Sequence, residues 1–212
     1  MVLVMRPARW QRGVAELARL VDAGLGVNEF RAQSLGRLRS LISIDADFYA
    51  TVEPATMVMT SALIEEPLAS AAGRFFDNEY GTDDVIKFTV LADAVDPVGS
   101  LDHATRGERA SSPRYRDLMA TMGLGDEARA ALRSRRQCWG VLCLHREDSD
   151  NTFHDDELAL LRRVAPLLGE GLRRGLAVSS TATGDAISGG PGVLILDADL
   201  SLVSSNPVMT PY

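Results

Sequence analysis

Residues 138–145 read CWGVLCLH, and few arrangements can accommodate such a run. Side chains alternate along a strand. Trp139, Val141, Cys143 and His145 then share one face, and Cys138, Gly140, Leu142 and Leu144 share the other. Both faces are apolar, as in an interior strand covered on both sides. The segment before it, DEARAALRS (126–134), reads as the partner strand, joined through an arginine-rich turn. The chain must therefore supply a sheet with a layer on each side.

The two thiols need a role within that strand. They stand five residues apart, so without a bulge they point to opposite faces and cannot share a metal. Zinc sites also favour ligand pairs from close turns and four ligands in all. Free cysteine is among the most buried residue types, and both thiols are expected to be inert core groups. Two cysteines in 212 residues form no disulfide framework, which suits a reducing compartment.

The remaining segments fit around the sheet. Trp10, Val14, Leu17 and Val21 recur at helical spacing over 8–22, with Gly24 just beyond. A second helix is expected from an N-cap at Asn28. Residues 45–64 read as two strands about a Glu53-Pro54-Ala55 turn. Helix is expected around 65–80 with Pro67 in its first turn, and again from Thr82, with Val85, Phe88 and Leu91 as its apolar side. A short strand is expected near 98–104, and a helix from Ser112-Pro113 to Gly123 or Gly125. A long helix is expected from Thr152 to about Ala177, with a capping box at Thr152 and Asp155 and a broad apolar face. Pro166 should kink it. The small-residue stretch 179–192 reads as a flexible linker, and 193–212 as a hairpin that begins a further, truncated domain.

Several functions are disfavoured. The net charge of −7 argues against nucleic-acid binding by this portion. Lys87 is the only lysine among 22 basic residues, which removes most lysine-based catalysis. No G-x-S-x-G, H-E-x-x-H, P-loop or dinucleotide glycine pattern occurs. His103, His145 and His154 are isolated from one another, although His145 could face a pocket from a strand end. Arg129, Arg133, Arg135 and Arg136 are read as surrounding one hairpin tip, either as a solvated turn or as a contact for an anion or an acidic partner. Met57, Met59, Phe75 and Phe76 could line an adaptable apolar cavity together with Tyr80, Phe88, Trp139 and Cys143. The same side chains suit a filled core equally well. No stretch approaches the ~18 apolar residues of a membrane span, and a cytoplasmic location is expected.

YATVEPATMVMTSAL, FDNEYGTDDVIKF, SPRYRDLMATMGLGDEARAAL, CWGVLCLHRE and FHDDELALLRRVAPLLGEGLRR resemble, in that order, the GAF-like sensor domain of actinobacterial LuxR-type transcriptional regulators. The likeness covers roughly residues 10–177. PGVLILDADLSLVSSN is similar to the opening hairpin of a PAS domain. The cyclic-nucleotide-binding and bilin-binding subtypes do not fit. Lys87 follows Ile86 rather than an asparagine, and neither Cys138 nor Cys143 precedes a histidine.

The resemblance implies an α+β fold, a central antiparallel sheet with helices on both faces, over a domain of residues 1–178. It also implies first and last helices that pair between subunits, through Trp10, Leu17, Leu158, Leu161, Leu168 and Leu172. The expected function is a non-enzymatic sensory domain without a cofactor. A small apolar or amphipathic effector would bind between sheet and helices, and DNA would be reached only through a C-terminal helix-turn-helix domain not present in this sequence. A ligand-free dimerisation module is the alternative. An enzyme, or a redox or haem sensor, using Cys143 or His145 ranks third.

Overall fold

The computed structural model describes residues 5–148, 152–184, 194–196 and 202–205. Its α-helices are α1 (Met5–Val21), α2 (Val27–Arg39), α3 (Ala72–Gly81), α4 (Phe88–Asp93), α5 (Leu101–Thr105) and α6 (Asp155–Gly184). Its strands are β1 (Ala46–Val52), β2 (Met59–Ile64), β3 (Val98–Ser100), β4 (Leu124–Ser134), β5 (Gln137–Glu147) and the separate pair β6 (Leu194–Leu196) and β7 (Leu202–Ser205). The first five form an antiparallel sheet in the order β2-β1-β5-β4-β3, so β5 is central, as its two apolar faces require. β1 is buried along its whole length.

The two faces of the sheet carry separate cores. α1, α2 and α6 cover one, where Leu17, Phe30, Leu38, Leu158, Leu161, Leu168 and Leu172 pack with Leu132, Leu142 and Leu144. The other face packs Phe48, Phe75, Phe88, Leu101, Leu118 and Met119 over Val141 and Cys143. The β4–β5 turn carries Arg135 and Arg136 at φ of 51° and 66°. Two consecutive left-handed residues give a turn whose twist matches the strands it joins. α6 lies close to α2. A Cβ placed on Gly171 would stand 1.9 Å from the Phe30 ring, so that position excludes any side chain.

Several expectations shift. Register slips between Leu132 and Arg133, so Cys138 opposes Arg133 while Gly140 opposes Leu132. This bulge brings Cys138 into the same core as Cys143, whereas Trp139 packs against the helical core. Strict alternation had separated the two thiols. α2 begins at Val27, capped by Gly26, and Asn28 instead accepts a hydrogen bond from Arg31 at 2.6 Å. Pro67 precedes a 3-10 turn (69–71) and stands outside α3. Thr82 follows α3, and the next helix waits until Phe88. Residues 98–104 divide into β3 and α5. At the start of α6 the backbone N–H of His154 donates to the Glu157 carboxylate at 3.0 Å, so the side-chain cap joins 154 and 157 rather than Thr152 and Asp155. α6 then continues to Gly184, into the stretch read as linker.

The six residues assigned to pairing between subunits are mostly covered within the chain. Leu17, Leu158, Leu161, Leu168 and Leu172 are at most 1% exposed because they face the sheet and the neighbouring helices. Trp10 is half-buried, and its indole N–H donates to the Leu41 carbonyl at 3.4 Å.

Candidate functional site: a buried charge cluster beside an apolar pocket

Glu127 lies opposite His145, and Arg129 opposite Cys143, in the β4–β5 ladder. Strand alternation points all four toward the core formed with α3 and α4. Glu127 is fully buried and holds two guanidinium groups. Arg114 Nε donates to Oε2 and Arg129 Nε to Oε1, each at 2.9 Å. Arg129 also donates to Glu79 at 2.7 Å, and Glu79 accepts the first backbone N–H of α4, from Phe88, at 2.9 Å. Asp84 accepts the backbone N–H of Arg114 at 2.7 Å and lies 3.6 Å from its guanidinium. Lys87 Nζ donates to the Thr82 carbonyl at 2.6 Å. Glu79, Asp84 and Glu127 thus face Arg114, Arg129 and Lys87, three charges against three. Balance of this kind lets ions stay charged inside a core.

Burial alone would raise the Glu127 carboxyl, but the Arg114 and Arg129 guanidiniums outweigh it and hold Glu127 well below the usual carboxylate range. Burial pushes the Cys143 thiol well above its ordinary value, only partly opposed by Arg129. Cys138 is raised as well, chiefly by burial. Neither thiol is set up as a nucleophile. Burial lowers His145 to about 4 despite the nearby Glu127 carboxylate, so the ring is neutral at pH 7.

Beside this cluster lies an apolar pocket. Phe48, Ile64, Leu68, Ala71, Phe75 and Leu118 form its wall with His145, around a cavity of about 10 Å³ that is partly open to solvent. Both ring nitrogens of His145, a residue only 2% exposed, lack hydrogen-bond partners among the described residues. Glu127, Cys143 and His145 place their ligand atoms within 4.8 Å of one another, the arrangement nearest to a metal site among the described residues. Both Glu127 oxygens already accept from arginine, so that triad is a poor cation site as it stands.

The expected pocket residues divide. Phe75 forms part of the wall, and Phe88 and Cys143 belong to the core behind it. Phe76 stacks on Tyr80 with ring centroids 6.3 Å apart. The Tyr80 hydroxyl donates to the Met57 carbonyl at 3.3 Å and accepts from the Met59 N–H at 3.1 Å. Met57, Met59, Phe76 and Tyr80 therefore form a cluster outside the pocket wall, and Trp139 packs toward the other layer. His103 lies at the surface, 3.6 Å from Asp155. Arg129 is not at the hairpin tip. It stands six positions before Arg135, roughly 20 Å along a strand, a distance the sequence already contained. Arg133 donates to the carbonyls of Ala92 and Ala94, which leaves Arg135 and Arg136 at the tip. Sequence reading placed none of Glu79, Asp84, Arg114 and Glu127 in a site. The charged pair Glu127 and Arg129 on one face of an otherwise alanine-rich strand was the available signal.

The sequence profile of the GAF domain family matches residues 58–172. No curated protein matches the chain in sequence. Among solved structures, the fold is similar to the GAF domain of a putative sensor histidine kinase from Pseudomonas syringae pv. tomato. That match has a TM-score of 0.52 at 15% identity, over 85% of this chain and 95% of that one. The GAF domain of an Acinetobacter phosphoenolpyruvate-protein phosphotransferase gives 0.53 at 9% identity, over 81% and 97%. The phycoerythrobilin-bound GAF domain of a cyanobacterial phytochrome gives 0.52 at 14%, over 78% and 95%.

Proposed function

The chain belongs to the GAF domain family, typically sensory and regulatory small-molecule-binding modules, and from that premise we propose that it is a non-enzymatic sensor. Its effector would be a small, mainly apolar molecule held between the sheet and the segment that leads into α3. One observation carries this reading: the pocket wall is apolar except for His145, whose ring nitrogens are buried and unpartnered. Apolar concavities with few polar groups are the usual form of small-molecule sites. Both oxygens of Glu127 accept from arginine and burial keeps both thiols protonated, which supports binding over chemistry. In this proposal the sensor serves a transcriptional regulator, and occupancy alters the terminal helices through β5, which carries His145 on one face and Leu142 and Leu144 on the other. An effector shifts that equilibrium only by the difference in its affinity for the two arrangements.

The pocket's unfilled space admits no more than a water-sized group before its wall moves. That tightness favours a second reading, a ligand-free interaction module. Native mass spectrometry of protein purified from its own host separates the two. A stoichiometric co-purifying small molecule, released on denaturation, is the expected result. Bare protein whose melting temperature no apolar fragment raises would support the ligand-free module.

A further inference from the structure

Resting on the reading of this pocket as a ligand site, we infer that it recognises an uncharged, mostly apolar molecule carrying one hydrogen-bond donor, a hydroxyl or N–H, received by Nδ1 of His145. A neutral imidazole has one N–H and one lone pair. Nε2 of His145 lies 3.9 Å from Oε1 of Glu127, too far for a good hydrogen bond but close enough for the carboxylate to attract the ring proton to that nitrogen. Nδ1 then keeps its lone pair in a residue that lines the pocket, and no donor among the described residues reaches it. An unmet acceptor in an apolar chamber disfavours the empty state, and a guest that supplies the donor removes that penalty.

The same surroundings reject ions. Arg114 and Arg129 are engaged by Glu127, Glu79 and Asp84, so a ligand carboxylate would be dehydrated without a free counter-charge. Arg129 Nη2 also lacks an acceptor among the described residues, but its guanidinium lies 4.5 Å from the centroid of the Phe88 ring and stands outside the pocket wall. Entry requires the wall to yield near Leu68 and Ala71. The hydrogen bonds of that stretch are local, from the Ala69 N–H to the Glu65 carbonyl and from the Ser70 hydroxyl to the Pro67 carbonyl. Its hold on the sheet is apolar packing, which is non-directional and can slide.

Phenol, anisole and toluene test this, sharing a ring but offering a donor, an acceptor and neither. Their affinities for the full chain are measured by ligand-detected NMR, with ¹⁵N shifts of the histidine rings followed in parallel. Phenol is expected to bind about tenfold more tightly than toluene, the effect of one recovered hydrogen bond. Anisole should gain nothing over toluene, and phenol should move the His145 Nδ1 resonance upfield. His145→Phe should abolish the preference while toluene still binds. Should that variant fail to fold, the wild-type ranking and the nitrogen shift decide. Equal binding of phenol and toluene, or tighter binding of anisole, overturns the donor inference and leaves the ligand pocket standing. Binding of none of the three ends both.

Discussion

At the scale of single residues, the Glu127 cluster sets what the core tolerates. Removing one member of a buried ion group leaves its partners uncompensated, at a cost of about 3–5 kcal/mol. Glu127→Gln should therefore lower unfolding stability by roughly that amount in urea titration, because Arg114 and Arg129 then face a neutral amide. His145 gives a separate signature. Its folded-state value of about 4 lies below the ordinary 6.5, so the unfolded chain binds its proton first as pH falls. Stability is unaffected by this group above pH 6.5 and declines between 6.5 and about 4, by on the order of 3 kcal/mol. His145→Gln should flatten that part of a melting-temperature profile against pH. The apolar character of 138–145 was legible in the sequence because burial follows local alternation. The ion cluster was not, because Glu79 and Arg129 stand fifty positions apart and only the fold brings them to 2.7 Å.

At the scale of elements, helix existence was readable and helix ends were not. α1 and α6 follow strong apolar periodicities, while the starts of α2 and α4 depend on tertiary hydrogen bonds, from Val27 N–H to Ser179 and from Phe88 N–H to Glu79. The bulge in β5 belongs to the same class, since it depends on register with β4. Because both thiols lie buried in one core, each should react with a thiol reagent such as dithionitrobenzoate only on unfolding, and the rate should track the open population. The α2–α6 contact gives a sharper test. Gly171→Ala forces a methyl group into the Phe30 ring and should destabilise by about 1–3 kcal/mol or more, read by thermal or chemical denaturation.

At the scale of the whole molecule, the sheet separates a pocket layer from a layer of long helices. Leu161 distinguishes a core role from an interface role. It is 1% exposed within one chain, so Leu161→Asp should abolish cooperative unfolding rather than yield a folded monomer, as circular dichroism melts would show. The long helices are also tied to one another at the end of α1 and the start of α2. Ser179 Oγ accepts the Val27 N–H at 3.2 Å, and Arg174 bonds Asp22 at 2.6 Å. α6 spans thirty residues, roughly 45 Å. A rod of that length, lashed near its far end to α1 and α2, resists sliding but can still swing. Only five residues lie beyond the outermost tie at Ser179, so a rotation of ~10° there carries Gly184 by ~1 Å, and any larger displacement of the tip takes α1 and α2 with it.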